Sequence, residues 1–200
     1  MRAAERNGGG MAAPALPTPR YDHVGPDGPF GDVYEPAEDT FLLLDALEQD
    51  ADRLREARVE ICLEIGCGSG VVSTFLASSI IGSSALYICT DINPVAAYCT
   101  LETALLNNVH LQPVITDLVE SHGIEASWAG GKKGREVMDR VFPLVPDLLS
   151  AGGLFYLVTI KENHPDEILE TMKKCGLEGT RVLSRQAGQE MLTILKFKKS

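Results

Sequence analysis

The chain has 200 residues, 44% hydrophobic and 23% charged, with a formal net charge of −10 and a pI near 4.8. That length suits one globular domain with a full core, and no run of about 18 apolar residues is present to cross a membrane. An acidic chain without a basic stripe is a poor generic partner for nucleic acid, because neutralising phosphates takes clustered Lys and Arg. The short clusters Lys132-Lys133-Arg135 and Lys196-Lys198-Lys199 read as solvated surface.

Residues 1–31 are expected to be a disordered tail, their first twenty rich in Ala, Gly and Pro, with Met11 as a second candidate start. They lack the apolar stretch of a secretory signal, which points to a reducing compartment, the cytoplasm first and the nucleus second. None of the five cysteines (Cys62, Cys67, Cys89, Cys99, Cys175) forms a CxxC pair, so a zinc site in this chain is not expected. Cys62 and Cys89 lie inside apolar runs and read as small core residues.

After the tail, Glu35-Pro36-Ala37-Glu38-Asp39-Thr40 opens a helix, with Pro36 in its first turn and acids at its positive end. Phe41, Leu44, Leu47, Ala51 and Leu54 follow at spacings of three and four, one buried face. Residues 59–65 form an apolar strand ending at a glycine cluster, and 70–81 a buried helix. A second strand over 85–90 stops at Asp91, and Asn93-Pro94 caps a helix running to 107. A short third strand, 113–116, ends on Asp117.

Beyond the polar, Gly-rich stretch 118–133, a helix over 135–149 must bend or break at Pro143 and Pro146. Residues 153–160 make another apolar strand, and 165–175 a helix closed by Gly176. Two strands, 180–184 and 191–198, turn through Gln186-Ala187-Gly188-Gln189. Alternating strands and helices predict an α/β, Rossmann-like domain over 32–200: a mostly parallel sheet with an antiparallel C-terminal hairpin. Ligands of such sheets sit at the carboxyl ends of the strands. The glycine cluster and both strand-ending acids lie there.

Glu64-Ile65-Gly66-Cys67-Gly68-Ser69-Gly70 is an E-x-G-x-G-x-G loop between a strand and a helix. Glycine lets the backbone turn sharply and approach a ligand, although tight structural turns use it too. A nicotinamide dinucleotide site wants G-x-G-x-x-G, and here Val71 occupies the position of its third glycine. Glu64 would also repel a pyrophosphate, while it suits a cation such as the ammonium and sulfonium of S-adenosylmethionine. Asp91 ends the next strand, where a carboxylate accepts from ribose hydroxyls, and Asp117 the third, where one accepts from an adenine amino group. Three acids at three successive strand ends make Glu64, Gly66, Gly68, Gly70, Asp91 and Asp117 the candidate cofactor residues.

Tyr34-Glu35-Pro36-Ala37-Glu38-Asp39-Thr40, the loop 64–70, Thr90-Asp91-Ile92-Asn93-Pro94 and Trp128-Ala129-Gly130-Gly131 together resemble the HemK family of protein glutamine methyltransferases. The resemblance runs from Asp32 to the C-terminus and is closer to the eukaryotic branch, which modifies the translation termination factor. It implies that Thr40, Glu64, Gly66, Asp91, Asp117 and the backbone of Leu118 touch S-adenosylmethionine. It also implies a small zinc-binding activator subunit as partner.

The family's chemistry rests on Asn-Pro-Pro-Tyr after the fourth strand, whose carbonyls hold the target amide while it attacks the methyl group. No Asn-Pro-Pro-Tyr occurs in this sequence. Asn93-Pro94 is followed by Val95, and Asn163-His164-Pro165 follows a later strand. Asp117-Leu118-Val119 runs directly into Glu120-Ser121-His122-Gly123, with both flanks intact. The join near 119–121 looks like an internal deletion that removes the catalytic strand and loop, as from a skipped exon.

No catalytic residue is therefore assigned; His122 reads as a loop residue and Trp128 as loop packing. The chain is expected to be a catalytically impaired member of the family. The alternatives are an active methyltransferase on another target, such as a protein lysine or a small molecule, or a non-catalytic variant that binds cofactor or activator. Losing the fourth strand also strips a partner from strands 59–65 and 153–160. They are expected to pair directly with one another, or to leave a marginal, aggregation-prone chain.

Overall fold

The computed structural model describes residues 15–117 and 135–200. They fall into two compact units, one ending at Ile115 and one beginning at Thr116, where the sequence suggested a single domain over 32–200.

In the first unit, α1 (Glu38–Gln49) and α2 (Ala51–Glu56) meet at Asp50, which caps both helices. Pro36 stands before the helix rather than in its first turn, because Ala37 takes the extended N-cap position. Leu42, Leu44, Ala46, Leu47, Ala51 and Leu54 are buried along one side. β1 (Ile61–Ile65), β2 (Leu86–Asp91) and β3 (Gln112–Ile115) form a parallel sheet in the order β1-β2-β3. Its register pairs Glu64 with Cys89 and Asp91 with Ile115.

The crossovers are helical, as parallel neighbours require. After β1, α3 (Val71–Phe75) widens into a π-helical turn, Leu76–Ile80, closed by Ile81 N–H to the Leu76 carbonyl at 2.8 Å. After β2 comes α4 (Pro94–Leu106), with Pro94 in its first turn and Asn93 capping Val95 N at 3.0 Å. Tyr87 and Cys89 are buried against Ala77, Ala104 and Leu111. On the opposite face Ile61, Leu63, Ile65, Leu86 and Val114 stay exposed.

The described part of the expected tail, 15–31, is structured, and the expectation of disorder is corrected there. Val24 and Val33 are buried against Ala96 and Cys99 of α4, with Tyr21 and Phe30 beside them. Arg20 and Asn107 exchange two 2.8 Å hydrogen bonds between backbone and amide side chain, and Leu16 N–H donates to Glu48 at 2.9 Å. Consecutive turns do the folding: Val24 N–H to Tyr21 O, Gly28 N–H to Gly25 O, Val33 N–H to Phe30 O. The Gly and Pro residues that signalled a tail are turn residues.

In the second unit, α5 (Glu136–Val141) and α6 (Val145–Leu148) are separated at Pro143, where the sequence predicted a break. β4 (Leu154–Ile160), β5 (Leu177–Ala187) and β6 (Glu190–Lys199) make an antiparallel sheet ordered β4-β6-β5. α7 (Pro165–Lys174) starts on Pro165 and gives way to Gly176 at φ 83°. Val141, Phe142, Val145, Ile168, Met172, Leu177, Leu195 and Phe197 form its core.

Direct pairing of β1 with β4, one of the two expected outcomes, is not formed: they belong to separate sheets, each as an outer strand. β1 pairs through one edge with β2, and β4 through one edge with β6. Among the described residues, no helix is long and apolar enough to cross a membrane.

Candidate cofactor site

The glycine loop is set by hydrogen bonds from the strand ends beside it. The Thr90 carbonyl accepts from both Gly66 N–H (2.8 Å) and Cys67 N–H (2.9 Å), and Thr90 Oγ1 donates to the Glu64 carbonyl at 3.1 Å. Asp91 accepts from Gly68 N–H on Oδ2 and from Asn93 N–H on Oδ1, both at 2.9 Å. One carboxylate thus fixes the loop after β1 and the turn into α4. Each of its oxygens keeps a lone pair for a further donor.

Three loop glycines adopt positive φ: Gly66 at 73°, Gly68 at 50° and Gly70 at 74°. The space where a Cβ would stand is open at Gly66 and Gly68. At Gly70 a Cβ would meet Thr100 Cα at 2.9 Å, so its glycine serves helix packing. The first two leave room for a ligand against the backbone.

Glu64, the penultimate residue of β1, accepts from Ser73 twice, from its N–H at 3.1 Å and from its hydroxyl. Burial pushes its carboxyl up to about 7; the Ser73 bonds oppose that, and the negative Asp91 adds to it. A buried acid raised in this way has its charge restored by a cationic ligand. Burial likewise pushes the thiols of Cys62 and Cys99 up to about 11, which marks them as core residues rather than nucleophiles.

The structure thus brings together Glu64, Gly66, Gly68, Gly70 and Asp91. Thr40 lies in the first turn of α1, where its hydrogen bonds go to Ala37 and Asp39. Asp117 is exposed, one residue beyond Thr116, and belongs to the second unit. Leu118, the join at 119–121, His122 and the Trp128–Gly131 motif lie outside the described residues.

Sequence reasoning missed Ser73, Thr100 and Thr103. Thr100 Oγ1 donates toward the Gly68 carbonyl and Cys67 Sγ, each at 3.3 Å, and Thr103 Oγ1 to the Ser69 carbonyl at 2.6 Å. Two threonines three apart, both buried in a mostly apolar helix, were the available signal.

The fit to S-adenosylmethionine rests on open space above two positive-φ glycines, a raised acid suited to a cation and an acceptor carboxylate at the next strand end. Glu64, Gly66, Gly68 and Asp91 are the residues that would hold it. When bound, it supplies an electrophilic methyl group on a sulfonium.

The family model described as Ribosomal protein L11 methyltransferase (PrmA) matches residues 38–191. The chain is 62% identical over 218 aligned positions to Methyltransferase HEMK2 of Mus musculus, covering 95% of this chain and all of that protein. It is 34% identical to the eRF1 methyltransferase catalytic subunit mtq2 of Schizosaccharomyces pombe, over 84% of this chain and 90% of that one. The E. cuniculi Mtq2-Trm112 complex superposes with a TM-score of 0.65 at 26% identity, covering 84% of this chain and 99% of that chain.

Fold and site define a class I S-adenosylmethionine-dependent methyltransferase. Within that class, the chain belongs to the HEMK2 family of methyltransferases; the broader L11 match reflects the shared cofactor scaffold.

Proposed function

We propose that this chain is a shortened HEMK2-family protein whose full-length form methylates the glutamine side-chain amide of the translation termination factor eRF1. It would do so in the cytoplasm, paired with a small zinc-binding activator subunit of the Trm112 kind. The shortened chain keeps the cofactor site and lacks the means to hold the amide. One observation carries this reading: Ser73 holds Glu64, and Thr90 and Asp91 hold the glycine loop, while Asn-Pro-Pro-Tyr is absent from the sequence.

Several findings support it. The S. pombe and E. cuniculi relatives are both described by eRF1 methylation, the latter in complex with Trm112. The match to mouse HEMK2 spans 218 positions, more than this chain's 200 residues, so that relative carries a stretch with no counterpart here. An amide nitrogen is a weak nucleophile and depends on oriented acceptors to reach attack geometry. Without them, cofactor binding and methyl transfer come apart.

The test is to co-purify the chain with Trm112, measure S-adenosylmethionine binding by calorimetry, and follow labelled-methyl transfer to eRF1. Binding without transfer is expected. Transfer at a rate near that of the longer HEMK2 relative would overturn the assignment of impaired activity, and methylation of a lysine or small molecule instead would replace the substrate.

A further inference from the structure

The glycine loop is held from its far side by a relay that ends outside the expected site. The peptide unit joining Cys67 to Gly68 is one rigid plane: its N–H donates to Asp91 and its carbonyl accepts from Gly70 N–H at 2.8 Å. The next pinned plane joins Ser69 to Gly70. Its N–H makes that same bond, and its carbonyl accepts from Thr103 Oγ1 at 2.6 Å. Two peptide planes therefore connect Asp91 to Thr103 without a break.

Thr103 has one hydroxyl hydrogen and two carbonyls within its reach, Ser69 O at 2.6 Å and Cys99 O, in its own helix, at 3.1 Å. A threonine inside a helix commonly turns its hydrogen back to the carbonyl four residues earlier. Here His23 stands on that side. Its Nε2 lies 3.0 Å from Thr103 Oγ1, 3.4 Å from Cys99 O and 3.7 Å from Cys99 Sγ. Its Nδ1 is buried with no hydrogen-bond partner among the described residues.

The Cys99 carbonyl beside Nε2 can only accept, and a hydrogen on Nδ1 would be buried without an acceptor, so we assign the ring hydrogen to Nε2 and leave Nδ1 as the bare lone pair. The Nε2–H fills the acceptor side of Thr103 and competes for the Cys99 carbonyl, so the single hydrogen of Thr103 goes to the loop. Phe30, edge-on to the imidazole with ring centres 5.4 Å apart, fixes the ring's orientation.

We propose that His23 is a positioning residue for the S-adenosylmethionine site, acting through Thr103 on the Ser69–Gly70 peptide. A half-buried ring whose buried nitrogen is left unsatisfied is costly; the direction it gives to Thr103 accounts for its presence. The inference rests on the cofactor reading of the glycine loop.

The test compares His23→Leu, His23→Gln, Thr103→Val, Thr103→Ser and the double variant His23→Leu/Thr103→Val in the full chain. Two quantities are read: amide hydrogen exchange at Gly68 and Gly70 without cofactor, and S-adenosylmethionine affinity. His23→Leu and Thr103→Val should each speed Gly70 exchange and weaken binding by about 5- to 30-fold, the size of one lost buried hydrogen bond. The double variant should do little more than either alone, because both break one relay. His23→Gln and Thr103→Ser, which retain a donor, should restore both readouts.

Val24→Ala is the control: it loosens the packing of the same N-terminal segment without touching the relay, and should lower thermal stability while Gly70 exchange stays slow. Additive losses, or a His23→Leu variant that melts earlier with unchanged Gly70 exchange, would overturn the proposal and leave His23 as an anchor of its own segment. If the wild-type chain binds no S-adenosylmethionine, the cofactor reading fails, while Gly70 exchange still decides the role of His23.

Discussion

Ser73 donates to Glu64 from both its backbone amide and its hydroxyl, so the first turn of α3 holds the acid near the carboxyl end of β1. The folded carboxyl stands at about 7, against an ordinary 4.5, chiefly through burial. Between those values the folded chain keeps a proton that the unfolded chain has released. This group's contribution to stability is therefore present at low pH and falls as pH rises from about 4.5 to about 7. Glu64→Gln should flatten that part of a chemical-denaturation profile.

The same proton makes cofactor binding pH-dependent. A cationic ligand favours the ionised carboxylate, so S-adenosylmethionine should bind more tightly as pH rises through about 7 and release a proton below it. Calorimetry in buffers of different ionisation enthalpy reads the release directly. Equal release from wild type and Glu64→Gln would remove Glu64 from this role.

Asp91→Ala deletes an acceptor used by Gly68 and Asn93 and assigned to the ribose. A charge-assisted bond of this kind is worth about 1.5–3 kcal/mol, so affinity should fall at least tenfold. Asp91→Asn keeps an acceptor oxygen and should lie between alanine and wild type. Unchanged affinity in Asp91→Ala would sink the ribose assignment.

Two loop glycines should respond differently. Gly70→Ala meets Thr100 at 2.9 Å in a positive-φ conformation, combining overpacking with left-handed strain, and should cost about 2–4 kcal/mol of stability. Gly68→Ala meets no neighbour and should cost only about 1–2 kcal/mol, while its methyl occupies ligand space. Thermal melts should rank Gly70→Ala as the worse variant, and cofactor titration should show a loss in Gly68→Ala beyond its loss of stability.

How much of this was legible in the sequence depended on whether the signal was local. Glu64 and Asp91 were readable because each lies at the carboxyl end of an apolar strand, and Asn93-Pro94 because a cap and a first-turn proline are adjacent in the chain. Thr103 and His23 meet across 80 residues, a proximity that no periodicity carries. The order of the 15–31 segment was hidden because its apolar residues, Tyr21, Val24 and Phe30, are spread among Gly and Pro in turns. β5 outruns the predicted 180–184 because β6 pairs it from Leu177 to Ala187, a tertiary effect that draws in polar residues.

β1 also carries a solubility prediction. Leu86 N–H bonds the Glu60 carbonyl and Gly66 N–H the Thr90 carbonyl, so in the parallel ladder Cys62 and Glu64 face β2. Ile61, Leu63 and Ile65 turn their backbone groups outward, with no strand partner among the described residues. Their side chains are 61%, 40% and 38% exposed. Such an edge templates pairing with another chain. Ile61→Lys should lower light scattering at a given concentration and leave S-adenosylmethionine affinity unchanged; equal scattering would clear the edge of blame.

The polar contacts that shape the glycine loop, from His23 through Thr103 and the two peptide planes to Asp91, all come from sequence upstream of Ile115. A stretch farther along the chain can be gained, lost or exchanged while those contacts remain encoded. If the later stretch selects the acceptor, as the proposed function has it, recognition of a methyl donor and the choice of what receives the methyl would be separately heritable traits.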